Sequence, residues 1–73
     1  MSSLFASSEE LSRISVCIRE VGARISEQQE KVDRASSAGR FAYEERGVLF
    51  VMAEFLEVLK RRRARILRNA EHA

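Results

Sequence analysis

Apolar residues in the first half of this chain recur at alternating steps of three and four. Leu11, Ile14, Ile18, Val21, Ile25, Val32 and Ala35 make up the series, with the polar Gln28 at one of its positions. A 3.5-residue repeat is helical and keeps a narrow stripe on one side, which suits pairing with another helix. The other faces carry Arg13, Arg19, Glu20, Arg24, Glu27, Glu30, Lys31 and Arg34, a mixed-charge surface for water. Glu20–Arg24, Glu27–Lys31 and Glu30–Arg34 stand in the favoured i,i+4 order, each worth about 0.2–0.5 kcal/mol. Upstream, Ser7-Ser8-Glu9-Glu10 reads as a capping box, with Leu4 or Phe5 placed to act as a hydrophobic staple. The spacing predicts one helix over about residues 8–36, roughly 43 Å long. Gln28 either fixes the register from a buried position or sits in water near the loop; spacing alone leaves both open.

The chain has no proline, so no residue forces a helix to stop. The strongest break is Ser36-Ser37-Ala38-Gly39. Serine competes for backbone hydrogen bonds there, and glycine admits positive φ. Beyond it Phe41 and Tyr43 lead into Val48, Leu49, Met52, Phe55, Leu56, Leu59, Ile66 and Leu67, again at helical spacing. Val48–Met52 also has strand propensity, but the run continues with helical period, so helix is the expectation. The predicted architecture is all-α. One domain over residues 1–73 forms an antiparallel, coiled-coil-like hairpin, with helices over about 8–36 and 40–70 and a turn over about 36–40. A turn centred near Ala38 sets Ile25 against Met52, Ile18 against Leu59 and Leu11 against Ile66. It also sets Gly22 against Phe55, small against large.

Burial then raises a problem. A hairpin has one interface, and the stripe of the first helix is narrow enough for one partner to cover. The second is wider: between Gly47 and Leu59 only Gly47, Glu54 and Glu57 are not apolar. The excess forms an exposed apolar patch, and such patches mark interaction sites. The candidate partner-binding residues are Val48, Phe50, Val51, Met52, Phe55, Val58 and Leu59. The hairpin is expected to complete its core by self-association, as a homodimer or four-helix bundle, or in a hetero-complex with a protein partner.

Other function classes fall away. At 73 residues the chain is one small domain. Its one cysteine forms no internal disulfide, and with one histidine it offers no structural zinc site. The longest strongly apolar stretch, Val48–Met52, falls far short of the roughly 20 residues that span a bilayer. The N-terminal residues lack the pattern of a secretory signal, and a cytoplasmic location is expected. Cys17 has no histidine near it in sequence and reads as a plain buried or half-buried cysteine rather than a nucleophile. His72 reads as a tail residue. The pairs Glu9-Glu10 and Glu44-Glu45 each open a predicted helix, where the dipole favours negative charge. No phosphate loop, metalloprotease helix or nucleophile elbow occurs. No enzymatic activity, metal or cofactor is expected.

One anomaly is the run from Lys60 to Arg68, with six basic residues in nine: Lys60, Arg61, Arg62, Arg63, Arg65 and Arg68. Before it the chain is acidic, with seven Lys/Arg against ten Asp/Glu. The simplest reading is a solvated C-terminal helix face, with some pairing to Glu9 and Glu10 across the hairpin. The alternatives are phosphate contact by a small nucleic-acid-binding dimer, or an acidic protein or anionic membrane surface.

The layout of residues 8–36, the break at Ser36–Gly39, and Phe41 and Tyr43 leading into Val48–Leu59 resembles one family. These are the small helical-hairpin co-chaperones of bacterial type III secretion systems. The resemblance covers most of the chain and rests on layout rather than on a signature motif; the basic run after Lys60 departs from it. It implies a hairpin that holds a larger helical-repeat chaperone, the pair keeping a needle subunit from polymerising. The functional expectation is thus a protein-interaction module, with nucleic-acid binding as the alternative.

Overall fold

The computed structural model describes residues 2–72, with side chains described from residue 8 to residue 71. It contains two helices, α1 (Ser2–Ser37) and α2 (Tyr43–His72), packed against each other. No strand occurs among the described residues. Glu10 and Ser15 near the start of α1 contact Arg62 and Arg63 near the end of α2, while Gln28 near the end of α1 contacts Glu45 at the start of α2, so the helices are antiparallel. They bracket the register expected from a turn near Ala38.

α1 begins six residues before the predicted start. Ser7 therefore lies inside the helix rather than at its start, and its capping bond, like the staple at Leu4 or Phe5, falls outside the described side chains. No proline or glycine interrupts Ser2–Ser8, and propagating a helix adds one hydrogen bond per residue fixed. Glu10 has a different use: its Oε1 accepts a hydrogen bond from the guanidinium of Arg62 at 2.9 Å.

α1 ends where the serine-glycine cluster indicates. Gly39 takes φ +80°. Its N–H donates to the carbonyl of Ser36, and the Arg40 N–H donates to that of Ala35 at 2.9 Å. This crossed pair is a Schellman motif with glycine at its left-handed position. α2 starts at Tyr43, three residues later than expected, because Arg40, Phe41 and Ala42 are used to reverse the chain. Ala42 accepts the first intrahelical bond, from the Arg46 N–H at 2.9 Å, and holds φ +57° while buried. An L-residue in that region is strained.

The interface is a seam. On α1, Leu11, Ile14, Ile18, Val21, Ile25, Gln28, Val32 and Ala35 are all buried or half-buried. Ala42, just before α2, and Glu45, Leu49, Met52, Leu56, Leu59, Ile66 and Ala70 on it are the inward positions, also in steps of three and four but for the skipped position of the exposed Arg63. The core is thin: its buried apolar residues are Ile14, Val32, Ala35, Ala42 and Ile66. The molecule is a rod of 57 × 15 × 14 Å with a radius of gyration of 16.7 Å. A globule of this length has about 11 Å.

Two expectations are corrected. A methyl group built on Gly22 meets nothing within 4 Å, so Phe55 does not pack over it. The three predicted i,i+4 ion pairs on α1 are not among the contacts of the described residues; Arg13 pairs with Glu9 at 3.8 Å, and Gln29 donates to Asp33 at 3.0 Å. Exposed pairs gain too little to hold long side chains in one geometry.

Candidate protein-docking face

α2 carries two interleaved series, one residue apart. Each residue turns the helix by about 100°, so Val48, Val51, Phe55 and Val58 point to the flank of the inward row. They are 45%, 66%, 46% and 56% exposed. The result is a continuous apolar stripe beside the hairpin seam. Two shallow grooves follow it, one bounded by Glu44, Gly47, Val48, Val51 and Met52 and one by Val21, Arg24, Val51, Met52 and Phe55. α1 thus adds Val21 to the same face. Cys17, expected to be buried or half-buried, is exposed, because it stands off the seam that α2 covers; it borders the stripe further along, with Ile14, Leu59 and Arg62.

The sequence-based candidates divide into three groups. Val48, Val51, Phe55 and Val58 form the outward stripe. Met52 and Leu59 are half-buried and turned toward α1, as are Leu49 and Leu56. Phe50 is exposed but stands about 100° around the helix from Val51, off the stripe. The aromatic pair at the bend was not among those candidates. Phe41 and Tyr43 stack with ring centroids 5.6 Å apart, and both are exposed. Their i,i+2 spacing across a turn was the available signal.

Lys60, Arg61, Arg62, Arg63, Arg65 and Arg68 are all exposed, and the run wraps around α2 rather than forming one face. Arg62 is bound to Glu10, Arg63 donates to the Ser15 hydroxyl at 3.4 Å, and Lys60 pairs with Glu57 at 3.9 Å. Arg61, Arg62 and Arg65 gather beside Val58, at the C-terminal end of the stripe. At the opposite end, Glu44 and Glu45 occupy the first turn of α2.

Gln28 is buried and its side-chain amide donates to the backbone carbonyl of Glu45 at 2.8 Å. The seam glutamine therefore ties the helices together at one register. Among the described residues there is no group of three or more metal-ligating side chains and no helix long and apolar enough to cross a membrane.

Compared with known proteins, the chain matches no family model, no curated protein and no solved structure.

Proposed function

We propose that this chain is a non-enzymatic protein-interaction module: a helical hairpin that docks a further helical element on the outward face of α2, as a small chaperone, adaptor or assembly subunit does. One observation carries the reading. Val48, Val51, Phe55 and Val58 form an exposed apolar stripe on a hairpin whose own core is thin. Contiguous exposed apolar surface of this kind is an interaction signature, and side chains at three-four spacing present the ridge that another helix grips. Val51→Glu combined with Val58→Glu tests it. Association measured by light scattering and chemical cross-linking is expected to disappear; association that survives both charges overturns the reading.

Nucleic-acid contact through Lys60–Arg68 is the weaker reading. Lys60, Arg62 and Arg63 already have partners within the hairpin, and the chain's net charge is only +2. A mobility-shift assay at about 50 mM salt is expected to give no salt-sensitive complex. A complex lost on neutralising Arg61, Arg62, Arg63 and Arg65 would reverse the ranking.

A further inference from the structure

We propose that the occupant of this stripe is a second copy of the same chain, with the two α2 helices laid antiparallel; the proposal rests on reading the stripe as a docking surface. Its motivation is the charge at the two ends. Continued at the same spacing, the series Val48, Val51, Phe55, Val58 runs back to Glu44 and forward to Arg62 and Arg65. The stripe is acidic at one end, apolar in the middle and basic at the other.

Such a surface is complementary to itself when reversed. A two-fold axis level with Ala53 sets Val51 against Phe55 of the second copy and Val48 against Val58. The same operation brings Glu44 to Arg62, which also holds Glu10 of its own chain at 2.9 Å, with Arg65 beside it. Every contact of a two-fold dimer occurs twice, so both ends are matched at once. A parallel pairing would put arginines on arginines and glutamates on glutamates, which electrostatic complementarity disfavours. The antiparallel arrangement also opposes the dipoles of the two helices. Among the described residues, neither Glu44 nor Arg65 has an ion-pair partner within its own chain. One contact is mismatched: near the axis, at the solvent edge, Glu54 meets its own copy.

The pairing also addresses the thin core. Each chain covers half-exposed valines and a phenylalanine that its own α1 cannot reach, and the Val21 side of α1 approaches the same face in the assembly. The product is a four-helix arrangement with the two α2 helices at its centre.

The experiment is light scattering after size exclusion on the full chain over a concentration series, with two charge variants and their mixture. The wild type is expected to run at twice 8.3 kDa. Glu44→Arg alone, and Arg62→Glu with Arg65→Glu, each bring like charges together and are expected to weaken the dimer about tenfold. Mixed one to one, they are expected to recover it, because each supplies the charge the other lacks. Recovery supports the antiparallel pairing even where the doubly charged valine variant fails to fold. A dimer that resists both charge variants, or a mixture that stays dissociated, overturns the pairing. A monomeric wild type that binds a different helical protein, and loses it with Val51→Glu and Val58→Glu, overturns self-pairing but leaves the docking function standing. A monomer with no stripe-dependent binding defeats both.

Discussion

Two glycines of this chain have opposite consequences, although neither is crowded. A methyl group on Gly39 or on Gly22 meets nothing within 4 Å. Gly39 holds φ +80° at the end of α1, and alanine there is strained without any clash. Gly22 sits inside the helix, where alanine is the better helix former. Gly39→Ala is expected to lower stability by about 1 kcal/mol, and Gly22→Ala to raise it by about 0.5–1 kcal/mol. Thermal melts followed by circular dichroism will separate them, since 1 kcal/mol moves the midpoint by roughly 4–8 °C in a domain of this size. Gln28 is the other residue with a specific task. Its amide reaches the Glu45 carbonyl from a buried position, so Gln28→Ala loses a hydrogen bond and opens space. A loss of about 1–2 kcal/mol is expected, readable in urea titration as a lower midpoint.

At the scale of the element, α2 is the unusual helix. One row faces α1 and a second, one residue out of phase, faces outward, so the helix is amphipathic over a wider arc than one partner covers. Its basic C-terminal third does little for stability by charge alone. The Arg62–Glu10 contact is short at 2.9 Å, but both side chains are substantially exposed, at 61% and 41%. Such a pair contributes at most about 1 kcal/mol. A double-mutant cycle with Glu10→Gln and Arg62→Ala is expected to give a small coupling that shrinks further in high salt. A large, salt-insensitive coupling would mean that the contact is more buried than its geometry implies.

For the whole molecule, shape decides what burial is possible. A rod 57 Å long and 15 Å across has two helices and one seam, and the described side chains off that seam meet solvent. Chains this small hold only a few kcal/mol from a single core. The thermal midpoint should therefore rise with protein concentration, because a partner that binds only the folded form stabilises it by mass action. Melts over a hundredfold dilution series test this, and a concentration-independent midpoint would mean that the hairpin stands alone.

The helical hairpin was legible in the sequence because both of its causes are local. The three-four spacing from Leu11 to Ala35 is a property of neighbouring residues, and so is the break at Ser36–Gly39. Glycine at the left-handed position of the turn follows from backbone sterics alone. Other features depend on where the second helix lies. The broad row on α2 was divided only in part by spacing: a turn near Ala38 set Met52 and Leu59 against α1, but Val48, Val51, Phe55 and Val58 repeat with the same period as Leu49, Met52, Leu56 and Leu59. Only packing against α1 turned one set inward and left the other exposed. The same holds for Gln28, whose buried role required the Glu45 carbonyl to arrive from across the turn. The strain at Ala42 and the late start of α2 arose from closing the hairpin. Local propensity and period determine which residues form helices; rotation about the helix axis is a property of the pair, and it is what sets the exposed face.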